Sequence, residues 1–265
     1  MNAVADKVVP LARYEAGQPT PYHLSPPHSQ SADAEISTAG TKLRDWARHL
    51  ADNSSFISAI LSSRTSNAIG PGLTYEPLVR DRKGNLLPVI NDAIRRIHDD
   101  WSRSVDTTGE LNRAELERLV WRTWDVDGEA FVRRLLRRAD KRRESLPYQL
   151  QILESDWIPF YLTGEIDRAM LIHGVEKDQW GRPVRYWVGP WMQDAAWTQG
   201  RLVKPDKLTK IAADDVWHLK RTQRPNQTRG VTLFHSVIFR IADVAEFTQA
   251  HRLAARASAD MYLAI

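Results

Sequence analysis

An α+β fold is predicted for this 265-residue chain, with helices first, a mostly antiparallel strand-rich region next and a further helix behind it. Three observations predict it. Apolar residues recur at three- and four-residue steps as far as about Trp124, the period shortens to two after Gly128, and helical spacing returns near Phe234. Helices grouped ahead of strands argue against an alternating α/β chain.

Residues 1 to 38, with "YEAGQPTPYHLSPPHSQSADAE", are rich in Pro, Ser and small polar residues and read as a flexible arm. The body is expected over 39–265, with helices in 41–125, strands in 126–220 and a helix over 234–265. Leu43, Trp46, Ala47, Leu50, Ile57, Ile60 and Leu61 form the first helical face, which "AIGPG" ends. Pro88 opens the second helix, with Val89, Ile90, Ala93, Ile94, Ile97 and Trp101 on one side. Asn112 and Glu115 have the spacing of a capping box at the start of the third, whose stripe is Leu116, Leu119, Val120 and Trp124. All three are expected to pack on the core.

"EAFVRRLLRR", "PYQLQILES", "AMLIHGVEKD", "RPVRYWVG" and "DVWHLK" read as strands, separated by turn chemistry in "DKRRESLP", "LTGEID", "DQWGRP" and "PWMQDAAWTQGRLVKPDK". The last helical pattern, with Val237, Ile241, Val244 and Ala245, is still running at Ile265 without a stop signal, so the chain is expected to be incomplete at its C-terminus.

At 42 % hydrophobic and 26 % charged residues the chain can bury a core, and no apolar run approaches the roughly 18 to 20 residues of a membrane helix. The absence of cysteine excludes disulfides, thiolate zinc sites and cysteine nucleophiles. There is no GxxxxGK[ST] phosphate loop, GxSxG or HExxH, and the eight histidines show no metal-ligand spacing. The best catalytic candidates are Asp127 and Glu129 in "DGE" and Glu154 and Asp156 in "ESD", carboxylates on neighbouring strands that could converge on a divalent metal as in a nuclease. "DGE" is equally what a helix-to-strand turn looks like. Trp180, Trp187, Trp191, Trp197 and Trp217 fall in the strand region and suit core or subunit contacts better than base stacking.

The net charge of +4 favours an anionic partner only mildly. Its concentration matters more: Arg133, Arg134, Arg137, Arg138, Lys141, Arg142 and Arg143 fall within eleven positions, running along "FVRRLLRR" into "ADKRRES", the expected tip of its hairpin with "YQLQILES". Such a tip can face DNA or an acidic partner, or be a solvated end that discourages edge-to-edge aggregation.

From about Leu43 onward the chain resembles the N-terminal part of a lambda-family phage portal protein. The likeness is carried, in order, by the helix pair before "GPG", "WSRSVDTTG", "VDGEAFVR", "QLQILESD", "GVEKDQWGRPVRYWV", "ADDVWHL" and "RPNQTRGV". Matching positions are Asp127, Gly128, Glu129, Glu154, Asp156, Gly181, Arg182, Pro183, Tyr186, Trp187, His218, Arg229 and Gly230, all expected to be structural. Family members usually have Pro where this chain has Ser155 and Gly where it has Asn226, changes that could alter local turns.

The resemblance implies a dodecameric ring at the capsid vertex of the virion, assembled in the host cytoplasm. Double-stranded DNA would pass through it without sequence-specific contact, with terminase, capsid and head-completion proteins as partners and no cofactor, metal, catalysis or membrane. A metal-dependent nuclease and a stand-alone DNA-binding protein of prophage origin are the alternatives.

Overall fold

The computed structural model describes residues 30–136, 146–166, 168–189 and 205–263. Contacts divide the chain between Ser31 and Ala32, and the unit from Ala32 onward carries the fold. Helices α1 (Ala32–Asn53) and α2 (Ser55–Ala68) are separated only at Ser54, whose hydroxyl accepts from the Ile57 N–H and so restarts the helix. Together with α4 (Arg113–Asp127) they enclose Ala47, Leu50, Ala51, Ile57, Leu61 and Val126, and Phe234 and Ile238 complete this core from the far end of the chain. Burying a large aliphatic or aromatic side chain of this kind is worth about 1.5–3 kcal/mol.

The start of α1 corrects the expected arm boundary. Residues 32–38 are helical, and Ala32 and Ile36 are buried. The polar composition misleads because this turn is anchored by hydrogen bonds as well as by apolar area. Asp33 accepts from the Thr228 backbone N–H at 2.7 Å and its hydroxyl at 2.6 Å, and Ser37 Oγ lies 2.5 Å from His173 Nε2. Residues 1–29 of the expected arm lie outside the described residues.

Helix α3 (Pro88–Ser102) forms where its Pro predicts, but it is not a core helix. Its only buried residue is Asn91, whose amide binds both backbone groups of Val79, while Val89, Ile90 and Ile97 of the expected core stripe are exposed. An Arg80–Leu86 bridge precedes it and carries it outward; Tyr75 stacked on His98, and the Trp101 indole N–H donating to the Tyr148 carbonyl, tie it back.

Helix α4 begins with the expected capping box: the Asn112 side chain accepts from Glu115 N–H at 3.0 Å, and Glu115 accepts from Asn112 N–H at 2.9 Å. It ends at Gly128, whose φ of 82° turns the chain into β1 (Glu129–Leu136). β1 is central in a three-stranded antiparallel sheet, between β2 (Tyr148–Leu153) and β8 (Val216–Lys220). The expected β1–β2 hairpin is therefore present. Just ahead of α4, the "VDTTG" turn docks on β2, with Leu150 exchanging backbone bonds with Val105 and Thr107.

A second sheet is a five-stranded antiparallel meander of β3 (Gly164–Ile166), β4 (Ala169–Ile172), β5 (Val175–Lys177), β6 (Pro183–Val188) and β7 (Thr209–Ala212). The sequence reads "AMLIHGVEKD" as one strand, but it is the β4–β5 hairpin. His173 and Gly174, with φ of 51° and 78°, make its two-residue turn. β3 lies where the sequence shows turn chemistry, and β7 falls between the turn ending at Lys207 and the strand pattern of "DVWHLK". Phe131 and Val216 of the small sheet meet Val175, Tyr186 and Ile211 of the large one in a second core. Helix α5 (Ile238–Leu263) leaves the body after its first turn. Mixed α+β architecture is thus as the period changes predict.

Replacing Asn112 by Ala should cost about 1 kcal/mol of stability without altering the fold. Denaturant unfolding should show a lower midpoint at an unchanged slope, because only the cap of α4 is lost.

Candidate functional site

The residue around which the layers meet is Glu129, the first residue of β1. It has no solvent exposure, and neither has Arg229, its main partner. Arg229 Nε donates to both carboxylate oxygens at 2.9 and 3.0 Å, and Nη2 donates to Oε1 at 2.7 Å. Its other N–H groups reach the carbonyls of Ile158 (3.0 Å), His173 (2.8 Å) and Ser155 (2.9 Å). All the guanidinium donors are therefore used, which is the condition for burying a charge. Phe131 and Phe160 lie within 5.3 and 4.9 Å of its central carbon.

Glu129 also accepts from Gly230 N–H at 2.9 Å, is 3.1 Å from His218 Nε2 and is 3.4 Å from Arg44 Nη1. Burial alone would push its carboxyl up, but the Arg229 guanidinium and His218 hold it well below the usual carboxylate range. His218 stacks on Phe131 with ring centres 4.1 Å apart, and burial depresses its pKa. Its Nδ1 faces the Tyr186 hydroxyl at 3.4 Å; burial raises that phenol to about 12.

The crossing of backbone behind this pair requires glycine. A Cβ on Gly230 would sit 2.1 Å from the Gly128 carbonyl oxygen, and one on Gly128 would sit 2.1 Å from the Val231 carbonyl carbon. The helix-to-strand turn and the "TRGV" loop can touch only because neither carries a side chain there.

The four carboxylates proposed from sequence do come near one another, but they face guanidinium groups. Arg48 binds Asp127 through two bonds of 2.9 and 2.7 Å and Asp156 at 2.5 Å, with Glu154 3.8 Å away. Arg44 bridges Glu129 to Asp156, the latter at 2.8 Å. Oxygens so engaged suit a structural ion-pair chain, and among the described residues no cluster of His, Asp or Glu has the arrangement of a metal site. The nuclease alternative gains no support from this donor set.

Other matched positions divide between core and surface. Tyr186 and Trp187 are buried, and the Trp187 indole N–H donates to Glu176 at 3.0 Å; Gly181, Arg182 and Pro183 lie at the exposed β5–β6 turn. Asn226 has a φ of 62°, a backbone that Gly adopts freely and Asn tolerates best among other residues. Ser155 is buried and opens a single 3-10 turn, where a proline would fit because no backbone N–H is needed. Of the basic run, Arg134 pairs with Asp215 at 2.9 Å and Arg133 is half-buried. Arg137, Arg138, Lys141, Arg142 and Arg143 lie outside the described residues, as do Trp191 and Trp197. Trp180 is exposed and Trp217 half-exposed.

Sequence reasoning missed Arg44, Arg48, Asp33, His173 and Asp125. One signal was available: Arg44 occupies the apolar face of a predicted helix, between Leu43 and Ala47, where a cation must find a buried acid. Asp125 is a second buried acid, held by Arg64 at 2.9 and 3.1 Å and by Arg221, whose guanidinium lies 4.0 Å from the Trp124 ring centre.

The family model described as "Phage portal protein, lambda family" matches residues 22–265. A curated relative, the "Probable portal protein" of Halomonas phage phiHAP-1, is 28 % identical over 236 residues. That alignment takes in 87 % of this chain and 44 % of the relative, so the chain spans less than half of the relative's length.

Two outcomes are expected of the buried pair. Glu129→Gln leaves the Arg229 charge buried without its counter-ion and should cost about 3–5 kcal/mol, measured by denaturant unfolding. Acid should also destabilise the fold before carboxylates titrate. Burial and the nearby Arg229 depress His173 to about 4. The unfolded chain therefore takes up a proton near the ordinary value of about 6.5 that the folded chain refuses. Stability is lost as pH falls from about 6.5 toward 4, on the order of 3 kcal/mol from this group. His173→Asn, which tolerates the positive φ, should flatten the thermal-unfolding profile in that window; an unflattened profile would assign the effect elsewhere.

Proposed function

Because the chain belongs to the lambda family of phage portal proteins, we propose that it acts as a portal subunit. Copies of it form a ring at the capsid vertex, assembled in the host cytoplasm, through which double-stranded DNA is packaged and ejected. The ring in this reading is dodecameric, docks terminase, capsid and head-completion proteins, and performs no catalysis itself.

The observation that carries the reading is the family match, which runs from ahead of α1 through all described elements to α5. The chemistry of the interior agrees with it. Its buried acids, Glu129, Asp125 and Asp127, are held by arginines that lock helices, sheets and loops together, as a load-carrying scaffold requires and a catalytic centre does not. Helix α5 agrees as well. Beyond its first turns Val244, Phe247 and Leu253 are exposed, and a helix so bare is marginal in water until something covers it. Neighbouring copies in a ring would do so.

The basic run Arg133–Arg143 fits a conduit only as a weak contact. DNA must slide, and charges farther than the screening length of about 8 Å at physiological salt contribute little to holding it. Among the described residues no helix is long and apolar enough to cross a membrane.

In the phage that carries it, inactivating the reading frame should leave heads that assemble but contain no DNA, and supplying the intact frame in trans should restore nuclease-protected DNA. Heads that fill normally without it would overturn the assignment.

A further inference from the structure

The apolar face of α3 is bare, and so is a groove between α4 and the small sheet. Around α3, the side chains of Tyr75, Leu78, Leu86, Val89, Ile90 and Ile97 are each 46 % exposed or more. Together they leave on the order of 600 Å² of apolar surface in water, close to the ~800 Å² that each partner contributes to a standard protein interface. A monomer rarely carries such a patch without a use for it. The patch holds together because Asn91 ties α3 to Val79 and Tyr75 stacks on His98.

The groove runs between α4 and the outer face of the small sheet. It has a volume of about 840 Å³ and is walled by Val120, Trp121, Trp124, Leu150, Trp217 and Leu219. Trp217 and Leu219 belong to β8, an edge strand, and are 49 % and 42 % exposed. The buried indole N–H groups of Trp121 and Trp124 have no acceptor among the described residues. Lys220 lines the wall, and its ammonium donates to the Gln227 and Thr228 carbonyls. The groove is thus apolar in its walls. Helix α3 has the complement, an apolar ridge formed by Val89, Ile90 and Ile97.

We infer that the apolar face of α3 on one copy of this chain seats in the Trp121–Trp124 groove of a second copy, head to tail. This rests on the portal-subunit reading for the identity of the occupant, and it names the surfaces that reading leaves open. Two unlike surfaces on one subunit are what a heterologous contact needs, since each copy then offers a ridge to one neighbour and a groove to the other.

The test uses the full chain and two surface double variants. Val89→Glu with Ile97→Glu spoils the ridge, and Trp217→Glu with Leu219→Glu spoils the groove. All four positions are at least 42 % exposed, so both proteins should fold, as circular dichroism and thermal unfolding would verify. In sedimentation velocity the unaltered chain should form oligomers and each variant alone should be a monomer. An equimolar mixture of the two should form a 1:1 dimer and grow no further, because it contains one intact ridge and one intact groove. A monomeric unaltered chain, a variant that oligomerises as the parent does, or a mixture that stays monomeric would overturn the inference. A 1:1 dimer from a chain that phage heads do not need for packaging would instead sink the portal reading and leave this contact standing.

Discussion

The Glu129–Arg229 pair is the constraint on which the rest of the fold depends. Its members are a hundred residues apart, and both are wholly buried. Taking two charges out of water costs several kcal/mol each, so the pair survives only because every polar atom has a partner. Those partners are the reason the site matters. Through backbone carbonyls and N–H groups Arg229 and Glu129 fix the loop at 155–158, the β4–β5 turn at His173 and the loop at 228–230, and through Arg44 they fix α1. One ion pair thus sets where the helical layer, the small sheet and the large sheet lie with respect to each other. Hydrophobic burial supplies more free energy, but it has no direction and could not specify this arrangement alone.

From this centre the ion pairs spread outward along α1. Arg44 passes from Glu129 to Asp156, and one turn later Arg48 joins Asp156 to Asp127. The two arginines are four residues apart, so a straight helix presents both to the same side. Arg64 and Arg221 repeat the pattern at Asp125. Acids at the end of α4 and the start of β1 meet arginines from the helices and from the returning loop. That distribution explains why carboxylates clustered in sequence do not make a metal centre: their charge is already balanced by side chains that cannot lose a proton.

Legibility in the sequence followed the range of the interaction. The α4 cap, the Gly128 turn, the proline that opens α3 and the β1–β2 hairpin are local, and each was readable from a few adjacent residues. Non-local effects were not. The first turn of α1 looked like an arm because its anchor, Thr228, lies 195 residues away. The β4–β5 hairpin was hidden because His173, and not Asn or Asp, precedes Gly174 in the turn, and its positive φ is supported by the Arg229 bond to its carbonyl. α3 shows the opposite failure. Its amphipathic pattern is real, yet an apolar stripe tells only that a helix must be covered, not that its own chain covers it. Among the candidate residues, Glu129 and Gly128 are legible in "DGE" itself, His218, Arg229 and Gly230 come through the family likeness, and Arg44 and Arg48 need the packing.

The same contrast between interior and surface bears on what such a subunit must do. Under the proposed portal role, a ring that holds its shape while DNA moves through it needs subunits that do not deform, and the Glu129–Arg229 centre is stiff because neither member can move without leaving a charge unpaired. It also needs subunits that bind one another, and for this the apolar surface has to stay outside. The α3 face, the tryptophan groove and the length of α5 are where the chain leaves that surface uncovered. A few paired charges thus sit inside an otherwise apolar core, while some large apolar groups stay on the surface. The two features are spatially separate: buried arginine–carboxylate pairs specify the arrangement at the centre, and tryptophan, isoleucine and phenylalanine stay exposed at the surface.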